Sequence, residues 1–229
     1  ALSKLGAFAY AESLPTAKDS ATLLANNVLR LKIANKGGYI SEATILNEEQ
    51  FKKGSGKAVQ IIKDNNANFN LTLTTKDGKV INTKDLYFKP KYTKEGKNQV
   101  VTMQLKTGEN QFLEYRYVMK DNDHMLEFSI RTQGLENVLN TSKSPSLEWN
   151  LKSYRNEKSI SIEKRYAQLE YLYGDEKSSA VSDGEGKEDT PENVSYVAFK
   201  QHFFAAILAT DKPFEKSKLQ SDALFSGKQ

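Results

Sequence analysis

The sequence predicts an all-β fold, an antiparallel sandwich of two sheets with little helix. Three observations support this prediction. Apolar residues alternate with polar ones in short runs, turn-forming residues separate the runs, and helical periodicity is nearly absent. Alternation of period two turns one face of a strand to the core and the other to solvent, as in antiparallel sheets. The number of such runs favours two packed sheets, a large sandwich.

The alternating runs follow one another along most of the chain. In the first, Leu29, Leu31 and Ile33 alternate with charged residues, and a second run covers Asn68–Thr75. Further runs span Val101–Leu105, Leu113–Met119, Leu126–Ile130 and Leu147–Leu151. Each run has the length and pattern of a half-buried strand.

Glycine-containing turns lie between the runs. Gly37 and Gly38 form one such turn, and Asp77 with Gly78 has the residues of a type I′ hairpin, in which both central positions need positive φ. Ala17–Asn26 and Ser41–Phe51 are the two segments for which a helical turn or two is expected.

The composition excludes several classes of protein. With 38% hydrophobic and 27% charged residues in 229, the chain is of ordinary globular type. Its longest apolar run, Phe203–Ala209, is much shorter than the roughly 20 residues that cross a bilayer. The net charge of +4 is too small to predict binding to nucleic acid, so no nucleic-acid partner is expected.

The chain has no cysteine and two histidines, His124 and His202. Neither histidine has a second ligand at the spacing of a metal motif, so neither a metal site nor a cofactor is predicted. His124 follows an acidic turn and is expected in solvent. His202 falls in the run Tyr196–Ala209, which we predict as one strand, with His202 buried or facing a cleft.

One segment has the composition of a loop. Residues 174–193 contain a single branched aliphatic side chain, Val181, among glycines and acids. Such a segment buries too little apolar area to offset the entropy of ordering it. We therefore predict a mobile loop at 174–193, inside a single domain that covers residues 22–215.

Lysines cluster with aromatic residues between Lys84 and Lys97. Basic residues among aromatic ones can bind nucleic acid or an anionic membrane surface. Lysines on an exposed hairpin also prevent the edge of a sheet from pairing with another chain. We favour this second interpretation.

The richest aromatic stretch contains Trp149, Tyr154 and Arg155, followed by three tyrosines from Tyr166 to Tyr173. Alternate aromatic residues of a strand usually pack in the core. In a sandwich they can also line a concave sheet face that binds sugars or extended peptides. We select Trp149, Tyr154 and Arg155 as the candidate binding residues, and we predict no catalytic residue.

Three segments carry a resemblance to a known family: Asn27–Leu46, Asn68–Phe88 and Ser195–Thr210. In their order and motifs they resemble the large periplasmic domain of YidC-type membrane protein insertases, most of all those of Bacteroidetes. The late aromatic motif of that family matches here at Tyr196, Val197, Ala198, Gln201, Phe203 and Phe204.

The resemblance implies a β-supersandwich, the fold of galactose mutarotases. It also implies an accessory domain on the periplasmic face of the bacterial inner membrane, in a multi-pass protein that inserts and chaperones membrane proteins. The implied partners are the Sec translocon and nascent membrane proteins, and the domain is not expected to be an enzyme.

The same resemblance predicts the ends of the chain. Residues 1–21 would be a linker from a transmembrane helix that precedes them, and the insertase helices would follow Gln229. Residues 216–229 would be a C-terminal segment at which the family's domain is truncated. A truncated sandwich exposes a sheet edge, so we expect a tendency to dimerise.

Two alternatives remain open from the sequence. A mutarotase-like, sugar-processing enzyme would need an acid and a base, and His202 with Glu148 or Glu170 is the available pair. A carbohydrate- or peptide-binding module would use the aromatic stretch alone. A peptide or lipid-like ligand would then lie in a cleft near Trp149, Tyr154 and Arg155.

Overall fold

The computed structural model describes residues 2–51, 54–182 and 186–222. The chain divides into two compact units. Unit one comprises Ala1–Glu48 and Ala58–Leu151, and unit two comprises Glu49–Lys57 and Lys152–Gln229. Both fall largely within the range that the sequence predicts as one domain.

Strands make up most of unit one. In chain order they are β1 (Ala21–Ala25), β2 (Leu29–Ala34), β3 (Ile40–Glu49), β4 (Ala58–Ile62), β5 (Ala67–Thr74), β6 (Val80–Asn82), β7 (Lys89–Glu95), β8 (Asn98–Gly108), β9 (Gln111–Met119), β10 (Leu126–Gln133) and β11 (Ser146–Leu151). A 3-10 turn, Thr83–Asp85, follows β6.

These strands form three sheets, with the orders β1-β2-β3-β4, β11-β5-β6 and β10-β9-β8-β7. The pairings within them are antiparallel wherever the register is defined. The predicted alternation is confirmed in β2, where Leu29, Leu31 and Ile33 are buried and the lysine and arginine between them are exposed. The prediction of an all-β fold is thereby confirmed.

The core of unit one is centred on Tyr115 of β9, whose side chain is fully buried. Its ring contacts Phe69, Phe88 and Phe128 with centroid distances of 5.7, 4.9 and 5.6 Å. Its hydroxyl donates to Thr83 Oγ1 at 3.1 Å. Burial raises the pKa of Tyr115 to about 12, although the bond to Thr83 opposes this shift.

Tyr117, two residues further along β9, reaches the turn between β2 and β3. Its buried hydroxyl donates to the carbonyl of Gly38 at 2.7 Å, and burial raises its pKa well above the usual value. Gly38 has a φ of +65°, and a Cβ added there would lie 2.9 Å from the ring of Phe88. The predicted Gly-Gly turn is therefore needed both for its backbone conformation and for the close approach of Phe88.

The start of the chain is helical rather than an extended linker. Leu2–Lys4 and Gly6–Phe8 are 3-10 turns, and α1 (Ala9–Glu12) follows. Phe8 and Ala11 are buried in the core of unit one. The prediction of a linker is thus wrong for residues 2–12, because these two side chains fix the segment to the core.

Both segments expected to hold helical turns contain strands instead. Residues 21–25 form β1 and residues 40–49 form β3. Leu24 pairs with Leu31 across the ladder, and both are buried. Cross-strand burial therefore decides the structure of these segments over local helical propensity.

The hairpin at Asp77-Gly78 exists, but the prediction of its turn type is wrong. Gly78 has a φ of +78° while Asp77 does not have positive φ. Instead the hydroxyl of Thr75 accepts from the backbone N–H of Lys79 at 2.9 Å. Two successive positive φ values occur at Asp64 and Asn65, in the turn between β4 and β5.

Unit two contains one helix and six strands among its described residues. They are α2 (Ile160–Tyr166), β12 (Gln168–Tyr173), β13 (Lys177–Ala180), β14 (Lys187–Asp189), β15 (Glu192–Lys200), β16 (Ala205–Lys216) and β17 (Leu219–Ser221). One antiparallel sheet has the order β13-β12-β15-β16, and β14 pairs with β17.

The segment predicted as a mobile loop, 174–193, is mostly strand where it is described. β13 pairs with β12, and β14 pairs with β17. Tyr171 also donates to Asp189 at 2.7 Å, and Val181 is buried. The loop prediction is wrong for these parts, because backbone pairing supplies contacts that composition does not reveal. Residues 183–185 of the predicted loop, and residues 223–229 of the predicted C-terminal segment, lie outside the described residues.

The run Tyr196–Ala209 is a hairpin and not one strand. β15 ends at Lys200, β16 begins at Ala205, and the N–H of Gln201 donates to the carbonyl of Phe204 at 2.7 Å. The single-strand prediction is wrong, and His202 and Phe203 lie in a turn.

No helix in the described part of the chain is long and apolar enough to cross a membrane.

We predict that Gly38→Ala destabilises the protein by about 2–4 kcal/mol, because left-handed strain and a clash with Phe88 add together. Gly78→Ala is the matched control. Its φ of +78° is also positive, but nothing lies within 4 Å of the added Cβ. It should therefore cost only about 1–2 kcal/mol. Urea unfolding of both variants measures the difference, and equal losses would contradict the packing argument.

Candidate functional site

The three predicted binding residues do not belong to one unit. Trp149 lies on β11 in unit one, half-buried and paired with Phe69 of β5. Leu147 and Leu151, on the same face of β11, pack against the core. Tyr154 and Arg155 lie in unit two, between β11 and α2.

Arg155 is held by its own loop. Its Nε donates to the carbonyl of Glu157 at 2.7 Å, and Nη2 donates to the carbonyl of Lys158. The guanidinium carbon also lies 5.0 Å from the centre of the Phe51 ring. The guanidinium therefore shapes the loop, and any ligand at this position would meet an arginine that is already oriented.

The centre of this region is Glu163, a carboxylate of α2 that is 0% exposed. The helix begins after Ser159, whose hydroxyl accepts from the N–H of Ile162 at 3.4 Å. This start places Glu163 on the inner side of the first turn. Its Oε2 accepts from the backbone N–H groups of Asn156 and Glu157 at 3.0 and 2.5 Å.

Gln201 completes the site from the β15–β16 turn. Its Nε2 donates to Glu163 Oε1 at 2.8 Å and to the carbonyl of Tyr154 at 2.6 Å. Its Oε1 accepts from Asn156 Nδ2 at 3.1 Å. We call Tyr154, Asn156, Glu163 and Gln201 the polar clamp, because they tie one loop, one helix and one hairpin turn together.

His202, next to Gln201, forms a different pair from the one that the sequence suggested. Its Nδ1 pairs with Glu157 Oε1. Glu170 accepts from Lys200 at 2.8 Å, and Glu148 accepts from Asn150 at 2.6 Å. The carboxylate partner of His202 is therefore Glu157, and the expected pairing of His202 with Glu170, which would have served the mutarotase alternative, is wrong.

Aromatic rings surround His202. The Tyr166 ring stacks on the imidazole at a centroid distance of 4.2 Å and an angle of 11°, and the Phe203 ring lies 4.1 Å away. Phe203 is 71% exposed and Tyr166 is 45% exposed. The imidazole is thus held between two rings and a carboxylate, at the surface of unit two.

A shallow groove of about 390 Å³ lies on the sheet of unit two, lined in part by Glu170, Leu172 and Tyr196. A second concave region among the described residues has a volume of about 230 Å³. In the same residues, no group of three or more His, Asp or Glu side chains is arranged to hold a metal ion.

The sequence did not single out Glu163 or Gln201 as functional residues. The one available signal for Gln201 was that it matches a position of the late aromatic motif on which the family resemblance rests. Glu163 gave no signal, because a glutamate in a basic segment is ordinarily exposed.

Comparison with known proteins decides the family. Residues 22–227 match the family described as the YidC periplasmic domain. The chain belongs to this family. The match covers both units, so the aromatic motif and the polar clamp lie within the family's domain.

Relatives named membrane protein insertase YidC agree with this assignment. The protein of Parabacteroides distasonis is 32% identical over 210 residues, which cover 90% of this chain. That of Porphyromonas gingivalis W83 is 30% identical over 207 residues, or 89% of the chain. That of Phocaeicola vulgatus is 29% identical over 205 residues. The chain spans about a third of the length of these YidC proteins.

We predict that Glu163→Leu destabilises unit two of this YidC periplasmic domain by about 3 kcal/mol, because two backbone N–H groups and Gln201 lose their acceptor. Glu170→Leu is the matched control. Its ion pair with Lys200 is partly exposed, so its loss should cost less than about 1 kcal/mol. Hydrogen exchange of the β12 and β15 amides reports on unit two, and equal exchange rates in the two variants would contradict a clamp role for Glu163.

Proposed function

We propose that this chain is the extracytoplasmic accessory domain of an inner-membrane protein insertase. It assists the insertion and folding of membrane proteins at the periplasmic face, together with the Sec translocon. The family match over residues 22–227 carries this proposal, and the names of the relatives supply the insertase activity. The nascent membrane proteins are the substrates of the whole protein, of which this chain is one part.

The domain acts by binding rather than by catalysis in this proposal. The carboxylate partner of His202 is Glu157, which is not one of the two glutamates expected to act with it in sugar ring opening. Mutarotase-like chemistry therefore has no support from the side chains that were expected to perform it. Aromatic residues at or near the surface are better suited to holding a ligand without changing it.

The ligand class proposed for the domain is an extended peptide or a lipid-like chain. Trp149 of β11 keeps part of its ring accessible, and Arg155 presents an oriented guanidinium. A half-exposed ring next to the core is a surface on which an apolar side chain can pack. Because Trp149 and Tyr154 belong to different units, we treat each position as a separate contact.

Self-association through the sheet edge is a further part of the proposal. β16 lies at one end of its sheet, and Ile207 and Leu208 on it are only half-buried. β7 is also an edge strand, but it differs from β16 in its exposed charge. Its exposed Lys89, Lys91 and Lys94 discourage pairing with another strand. Exposed lysines on β16 are confined to its second half, at Lys212 and Lys216. Its first half, residues 205–210, is the place where a second copy of this chain would pair.

A crosslinking experiment tests the function and the contacts together. A photoreactive amino acid is placed at Trp149, Tyr154 or Arg155 of the protein as the cell makes it, and at Val80 and Met125 as exposed controls. We expect crosslinks to nascent membrane proteins or Sec components several-fold above the controls. Crosslinks at no position would contradict the insertase role, whereas equal crosslinks at all five positions would contradict only the proposed contacts.

A further inference from the structure

Phe203 is the most exposed large apolar side chain in the described part of the chain, at 71%. It begins the run Phe203–Ala209, the longest apolar run in the sequence, and none of its seven residues is buried. Apolar side chains that a protein leaves exposed together usually mark a surface that contacts something else.

The exposed ring is presented on a fixed turn and not on a loose one. Gln201, just before it, is buried in the polar clamp, and its N–H donates to the carbonyl of Phe204 at 2.7 Å. His202 pairs with Glu157 and stacks on Tyr166. The turn therefore keeps Phe203 in place without burying it.

Further apolar groups extend the exposed surface along α2. Tyr166 is 45% exposed and Ile162 is 38% exposed. Residues four apart on a helix lie on the same side, so Ile162 is next to Tyr166. We call Ile162, Tyr166, His202 and Phe203 the aromatic tip.

Cations flank the aromatic tip. Lys158 and Arg165 are exposed. Lys158 lies just before α2, and Arg165 lies three residues after Ile162, on the same side of the helix. The acids of the same segment do not form ion pairs with them, because Glu163 bonds within the polar clamp and Glu157 pairs with His202. The surface thus combines apolar rings with free positive charge.

This combination fits a lipid surface better than a protein surface. Lysine is depleted at the centre of protein–protein interfaces, whereas it is enriched with aromatic and aliphatic residues where helices lie on anionic membranes. Tyrosine is also enriched at the level of the lipid headgroups. An aliphatic residue such as Ile162 has no stacking role with nucleic-acid bases, which makes single-stranded nucleic acid the poorer fit.

We propose that the aromatic tip, with Lys158 and Arg165, docks on an anionic lipid bilayer. Phe203 enters the boundary between headgroups and acyl chains, and the two cations contact the lipid phosphates. The contact is weak by itself, since only a few apolar side chains and cations take part. It would orient a domain that is already held near a membrane.

Vesicle co-sedimentation of the 229-residue chain tests the proposal. The probes are vesicles of phosphatidylcholine alone and of equal parts phosphatidylcholine and phosphatidylglycerol. We expect binding to the anionic vesicles only. Phe203→Ser should weaken this binding about ten-fold, from the contribution of one buried ring. Lys158→Glu with Arg165→Glu should weaken it at least about twenty-fold, from the contribution of each cation.

Matched changes on β7 control for general charge and exposed aromatic surface. Lys89→Glu with Lys91→Glu changes the charge by the same amount, and Tyr92→Ser removes a ring that is 43% exposed. Both should bind like the unchanged chain. A loss on β7 as large as that at the tip would overturn the proposal, as would no binding to anionic vesicles by the unchanged chain. Circular dichroism confirms that each variant is folded.

Two further readouts separate lipid from other occupants. Phe203→Trp should add tryptophan fluorescence that brominated lipids quench. Unquenched fluorescence with vesicles bound would overturn the insertion of this ring.

Light scattering without lipid measures whether the chain forms a dimer. A dimer that Phe203→Ser abolishes would assign the tip to a second copy of the chain, and tighter binding to a single-stranded oligonucleotide than to the vesicles would assign it to nucleic acid.

Discussion

Two tyrosine hydroxyls on one strand hold unit one in a single arrangement. Tyr115 and Tyr117 are neighbours on the same face of β9, and each hydroxyl leaves that sheet to bond elsewhere. Tyr115 reaches Thr83, which also accepts the N–H of Leu71 on β5 at 2.8 Å, and Tyr117 reaches Gly38 between β2 and β3. A buried hydroxyl without a partner is costly, so the three sheets can settle only where both partners are available.

Unit two follows the same rule with different chemistry. There a buried carboxylate, Glu163, collects two backbone N–H groups and the amide of Gln201. These hydrogen bonds fix the turn that follows Gln201. In that turn His202 is partly exposed and Phe203 is exposed. In both units a buried polar group determines where the nearby backbone lies. In unit two the result is that the aromatic tip is held at the surface. This is where the domain has groups available for a membrane or a partner.

The sequence predicted the fold well where the alternation was long. In β2 only the alternating apolar residues are buried, as predicted. In β9 the other face is buried as well, at Phe112, Glu114 and Val118. The sequence-based prediction failed where residues far along the chain decide the local structure. Phe8 makes the start of the chain part of the core, and strand pairing orders residues 177–180 despite their polar composition.

The candidate site was harder to predict than the fold. Tyr154 lies in the polar clamp, but through its backbone carbonyl, while Arg155 shapes the adjoining loop. Aromatic content pointed to this region, yet Glu163 and the turn at Gln201 could not be found by periodicity because their partners are far along the chain.

The claim that two hydroxyls join the sheets of unit one is tested most directly by the unfolding free energies of Tyr115→Phe, Tyr117→Phe and the double variant. Each change removes one hydroxyl and keeps the ring. We expect a loss of about 1–2 kcal/mol for each single variant and a nearly additive loss for the double variant, because the two hydroxyls have different partners. Unchanged free energies in both single variants would contradict the claim.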